Sequence, residues 1–173
     1  MDLSRPDHVD AIQEEWRRER PDLDVTPMGT FGRLHRLADI LTKELDTVFA
    51  AHGLTEIDFD ILCTLRRAGE PYGRRPAELA RSTMVTTGGI SKRVDKLAEA
   101  GLVERTRPGM GDARATQVRL TAEGLRRIDA AVTDHVANEQ RLLDDLPAQD
   151  RARLEELLKG WLARVSATEL SPR

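Results

Sequence analysis

Between Pro76 and Arg119 the chain changes periodicity three times, and few folds accept that order. Pro76-Ala77-Glu78-Leu79-Ala80-Arg81 reads as a short helix opened by proline at its first position, where the missing N–H has no partner to lose. A turn follows. From Thr87, a candidate N-cap, the apolar residues Ile90, Val94 and Leu97 recur at helical spacing as far as Ala100, and Gly101 closes the helix. Residues 102–106 and 116–120 then read as two strands, and the loop between them holds Pro108, Gly109 and Gly111. Helix, turn, helix and hairpin in this order describe a winged helix-turn-helix, and that arrangement points to DNA.

Helices flank this unit on both sides. Pro6 and Asp7 open a helix to about Glu19, with Val9, Ile12 and Trp16 on one face, and Arg20-Pro21 ends it. A longer helix over about 27–52 carries Phe31, Leu34, Ala38, Leu41, Leu45 and Val48, with Gly53 after its end. Thr55 caps the next helix, with Asp58 at N3 and Phe59, Leu62 and Leu65 along it. Thr121 caps a helix bearing Leu125, Ile128, Val132 and Val136; Pro147 punctuates it. The last helix carries Leu154, Leu157, Leu158, Trp161, Leu162 and Val165.

The expected fold is therefore mainly α with a small β-wing, a winged helix-turn-helix on a helical base. Residues 1–26 form an extra N-terminal helix and linker, 27–54 a dimerisation helix, 55–120 the DNA-binding domain and 121–173 the C-terminal dimerisation helices. The apolar stripes of the terminal helices are too broad for a small central unit to cover. Two copies packed through them would cover both, which predicts a homodimer.

Composition removes other classes. The chain has 173 residues and no run of eighteen apolar ones, so no membrane span is expected. The first ten residues are charged and lack the apolar core of a signal peptide, which predicts a cytoplasmic protein. One cysteine, Cys63, excludes an internal disulfide and a cysteine-based zinc site. The four histidines (His8, His35, His52, His135) lack metal-ligand spacing, and no metal or cofactor is expected. No nucleophile–base pairing and no phosphate loop stands out, so the chain does not read as an enzyme. The net charge of −3 hides an asymmetry. Residues 73–127 hold twelve Lys and Arg against six Asp and Glu, a local +6 that leaves −9 on the remainder. A basic face on an acidic body results.

With Ile90 turned inward, Val94 and Leu97 fall beside it at about 100° per residue. Gly88, Ser91, Lys92 and Lys96 then form an outward strip near the helix start. A recognition helix presents that part to base edges in the major groove. Gly88 and Gly89 permit close approach, and Thr86, Thr87 and Ser91 can meet phosphates or bases. Arg105, Arg107, Arg114 and Arg119 bracket the hairpin tip. Asp112, two residues before Arg114, can orient that guanidinium for the narrow minor groove. A winged-helix module that binds protein rather than DNA is the alternative. The glycine turn and the basic wing disfavour it, since protein contacts favour apolar or aromatic exposure.

These residues resemble the MarR family of bacterial transcription regulators. The match runs through Glu78-Leu79-Ala80, the stretch from Thr87 to Leu97, Ala100-Gly101-Leu102-Val103-Glu104-Arg105, Asp112-x-Arg114 and Leu120-Thr121-x-x-Gly124. The family wing usually has two adjacent arginines after the aspartate; here Ala113 takes the place of the first. The resemblance implies a homodimer, a palindromic operator and a small-molecule effector that weakens DNA binding.

Arg93 falls at the edge of the inward face of its helix and should reach back toward the body of the protein. A guanidinium there needs a carboxylate or an anionic ligand, and Asp60 is a candidate partner. The chain is similar here to the urate-responsive branch of the family, which implies an effector site from Trp16, Asp60, Arg93 and Arg105 for a urate-like molecule or aromatic acid. Trp16 would stack on the ring while arginines bind its anionic edge. The alternative is that Trp16 is a core staple and Asp60–Arg93 a structural ion pair.

Overall fold

The structure, a computed structural model, describes residues 5–83, 89–106 and 116–169. It divides into two units, Met1–Ile57 and Asp58–Arg173.

The first unit is a helical hairpin of α1 (His8–Glu19) and α2 (Thr26–Ala51). Asp7 caps α1: its carboxylate accepts from the Val9 and Asp10 N–H groups, while Asp10 accepts from the Asp7 N–H at 2.9 Å. Both carboxylates are used a second time. Arg33 of α2 donates to Asp7 at 2.8 Å and to Asp10 at 2.6 Å, tying the two helices together. The Arg33 guanidinium, aided by the Asp10 N–H, holds the Asp7 carboxyl down at about 2. The buried face of α1 differs from the expected stripe. Val9 is buried, but Gln13 takes the next inward position while Ile12 and Trp16 are exposed. The reason is polar: Gln13 Nε2 donates to the Val25 carbonyl at 2.9 Å, satisfying a buried backbone group at the entry to α2. Along α2, Leu34, Leu41, Leu45 and Val48 are half-buried and Phe49 is buried, whereas Phe31 and Ala38 are exposed.

Helix α3 (Glu56–Arg66) leads into the second unit. Phe59, Ile61, Leu62 and Leu65 enter its core with Leu79 of α4 (Pro76–Ser82) and with Ile90, Val94 and Leu97 of α5 (Ile90–Glu99). Sequence periodicity anticipated α4 and most of α5. It placed the start of α5 too early: the helix begins at Ile90, and its N-cap is Gly89, not Thr87. Gly89 has φ +97°, a left-handed conformation that glycine adopts without a Cβ penalty. This glycine therefore sits outside the helix and carries no helix-interior propensity cost.

The sheet has three strands, one more than the sequence pattern predicts. Strands β2 (Val103–Thr106) and β3 (Gln117–Leu120) pair antiparallel with Val103 opposite Leu120 and Arg105 opposite Val118. The additional β1 (Gly73–Arg74) pairs with the other edge of β3, giving the order β1-β3-β2. Two residues are too short to show alternation, so β1 had no periodicity to reveal it.

Helix α6 (Ala122–Leu143) starts at the end of β3 through a compact lock. The Thr121 hydroxyl accepts from the Gly124 N–H at 3.0 Å and donates to the Gly101 carbonyl at 2.7 Å. The Thr121 N–H donates to the Leu102 carbonyl at 3.1 Å. The end of α5, the start of β2 and the start of α6 are thus fixed at one point. Ile128 and Ala131 continue the buried face of α6. Helix α7 (Ala148–Glu169) differs from the rest: Leu154 and Trp161 are half-buried, while Leu157, Leu158, Leu162 and Val165 are exposed. No helix among the described residues is long and apolar enough to cross a membrane.

Candidate nucleic-acid interface

The end of α4 is anchored from the end of α3. Thr64 is fully buried, and its hydroxyl faces the Ser82 carbonyl at 3.4 Å. Arg67 donates to the same carbonyl and, at 2.8 Å, to the Thr64 hydroxyl. The last turn of α4 thereby has its carbonyl satisfied by a cation, which suits the negative end of a helix.

Helix α5 has the two-sided character expected of it. Ile90, Val94 and Leu97 are buried; Ser91, Lys92, Asp95, Lys96 and Glu99 are exposed. Gly89, Ser91, Lys92 and Lys96 therefore lie together at the helix start and along one exposed face. Thr86, Thr87 and Gly88, and on the wing Arg107, Asp112 and Arg114, lie outside the described residues.

Arg93 turns inward, as its angular position requires. Its carboxylate partner is Asp58, to which Nε and Nη2 both donate, rather than the Asp60 that spacing proposed. Both aspartates are buried on α3. Helical periodicity put Arg93 against α3, but the crossing of the two helices selects the residue, and sequence spacing does not encode a crossing angle. The fork-on-carboxylate geometry raises the Arg93 guanidinium further above its already high range, chiefly through the hydrogen bonds to Asp58. Breaking a half-buried pair of this kind strands a charge, so Asp58 has a larger structural role than an N3 capping residue would.

Arg105 lies on β2, where its Nη2 donates to Asp95 of α5 at 2.6 Å. No spacing marks this pair, because the two residues sit on elements of different period. Trp16 is in the first unit, on α1, and is 43% exposed.

Cys63 lies on α3 and is half-buried. Burial pushes its thiol up to about 12, with the nearby Arg67 opposing the shift. A thiol in that range is protonated at neutral pH and unreactive. We expect thiol-specific labelling of the folded protein to run roughly a hundredfold or more slower than labelling of free cysteine. Equal rates would mean that Cys63 is a reactive, sensing thiol.

Comparison with known proteins agrees with this architecture. A model of the MarR family matches residues 52–115. The HTH-type transcriptional regulator PecS of Dickeya dadantii (strain 3937) is 38% identical over 156 residues, covering 90% of this chain and 93% of the relative. The crystal structure of AbsC, a MarR family transcriptional regulator from Streptomyces coelicolor, superposes with a TM-score of 0.72 at 27% identity, covering 84% of this chain and 97% of that one. A cysteine-to-serine mutant of MarR from E. coli, solved in complex with operator DNA, gives a TM-score of 0.65 at 27% identity over 85% of this chain and 97% of that one. With its helix-turn-helix, its three-stranded wing sheet and a relative of this identity and coverage, the chain belongs to the MarR family of DNA-binding transcription regulators.

Proposed function

We propose that the protein is a repressor that binds a palindromic operator as a homodimer and lets go when a small anionic or aromatic effector binds. The observation that carries this reading is the exposed face of α5, where Ser91, Lys92 and Lys96 stand beside a glycine-capped helix start over a buried Ile90/Val94/Leu97 face. Thr86, Thr87, Gly88 and Gly89 extend that surface along the sequence. Arg107, Asp112 and Arg114 of the wing are the residues assigned to the minor-groove contact. Two such units related by a two-fold axis would read half-sites about one helical turn apart. An operator overlapping a promoter would then be closed to transcription.

For the effector we retain Trp16, Asp60, Arg93 and Arg105. Arg93 and Arg105 each hold a carboxylate of their own chain, Asp58 and Asp95. An anionic ligand competing for either guanidinium would shift the recognition helix or its link to the wing. That difference in affinity between two arrangements is what allosteric release requires. The likeness to PecS, an HTH-type transcriptional regulator, supports the regulator part of this reading; the urate-like effector rests on the resemblance of Trp16, Asp60, Arg93 and Arg105 to the urate-responsive branch.

Gel-shift titration against the DNA flanking the protein's own gene, with and without urate and simple aromatic acids, tests both parts. Lys92→Ala and Arg114→Ala are each expected to weaken operator binding roughly fivefold to a hundredfold, the range for losing a base or phosphate contact, with the fold unchanged. Unchanged affinity in both variants would remove α5 and the wing from the interface. Saturable binding that no ligand reverses would leave the regulator and refute the effector site.

A further inference from the structure

Resting on the DNA-binding reading above, we propose that Asp95 is a positioning residue for operator recognition. It holds Arg105 so that α5 and the wing hairpin engage the duplex as one piece. Three observations carry this. Asp95 lies on the exposed face of α5 that also carries Lys92 and Lys96. A carboxylate on such a face repels phosphate, so by itself it lowers affinity. Its side chain is not simply solvated, however: it accepts from Arg105 Nη2 at 2.6 Å, across from α5 to β2. Arg105 in turn sits opposite Val118 in the β2–β3 ladder, two residues before the 107–115 loop that joins the strands.

The backbone already joins α5 to β2 at one end, where the Leu102 N–H donates to the Leu97 carbonyl at 2.9 Å. That contact and the Thr121 lock beside it both lie at the base of the hairpin. The Asp95–Arg105 pair adds a second attachment, further up the strand and earlier on the helix, and two attachments fix an angle. The side chains are 58% and 39% exposed, so the pair contributes little to folding stability. Its contribution falls on the relative placement of two DNA-contacting elements, where fixing geometry before binding lowers the ordering cost.

The test is a double-mutant cycle on operator affinity, read by fluorescence anisotropy on the full-length protein at fixed salt, with thermal melts alongside. Asp95→Asn removes a negative charge from a DNA-facing helix, so a merely solvated carboxylate predicts tighter binding. The positioning role predicts weaker binding, about threefold to tenfold for a lost coupling of this class, with the melting temperature unchanged. In the Arg105→Gln background the sign reverses: with no partner to position, Asp95→Asn tightens binding or leaves it unchanged. Equal or tighter operator binding by Asp95→Asn in the otherwise wild-type chain overturns the inference alone. Absence of saturable binding by the wild-type protein overturns it together with the regulator reading.

Discussion

Replacing Gly124 with alanine is expected to cost about 3 kcal/mol or more of folding stability, at or beyond the upper end of ordinary overpacking. A Cβ at this position would lie 1.9 Å from the Leu102 carbonyl oxygen and 2.9 Å from its carbon. Both are backbone atoms, so no rotamer change relieves the clash. The Leu102 carbonyl also accepts from the Thr121 N–H, and the Gly124 N–H donates to the Thr121 hydroxyl. Separating α6 from β2 therefore breaks the cap as well, a further loss of roughly 1 kcal/mol. For a chain of this length a total of about 4 kcal/mol should lower the melting temperature by roughly 8–16 °C. Calorimetry on Gly124→Ala checks it, and a melting temperature within about 2 °C of wild type would show that the α6–β2 junction is looser than described.

The second large effect concerns α7. Leu157, Leu158, Leu162 and Val165 all lie on this helix, and Leu162 is 69% exposed. Each leucine moved from water into an apolar contact contributes about 1.5–3 kcal/mol. Exposed leucines in this number along one helix are the mark of a surface that associates. Leu158→Glu combined with Leu162→Glu is expected to convert the proposed homodimer to monomers in sedimentation velocity. Operator affinity should then fall by at least about a hundredfold, because the second half-site is no longer engaged by a linked partner. A variant that stays dimeric would move the interface elsewhere.

How legible the molecule was in its sequence depended on the kind of information each element carries. Pro76, Gly101 and Thr121 mark boundaries through backbone chemistry that acts within a few residues, and the structure places α4, the end of α5 and the start of α6 where they indicate. The inward and outward faces of α5 followed from period alone. Where the deciding contact was long-range, sequence reading faltered. Gln13 displaced Ile12 and Trp16 from the inward face of α1 because the Val25 carbonyl needed a donor. Asp58 rather than Asp60 received Arg93 because of how two helices cross. Strand β1 exists only because β3 offers an edge to pair with. Arg105 meets Asp95 across from β2 to α5, a contact between elements of different period that no spacing encodes. In each case a polar group or an angle, not apolar periodicity, decided the outcome.

The most direct test of the central claim is an anisotropy titration of the protein against duplex DNA flanking its own gene, at about 50 mM and about 200 mM salt. Saturable binding of one dimer per two-fold site is expected, with affinity falling on the order of a hundredfold or more between the two salts, because counterions released from the phosphates gain less entropy in the saltier solution. No saturable binding at the lower salt would contradict it and favour a winged helix that recognises protein instead.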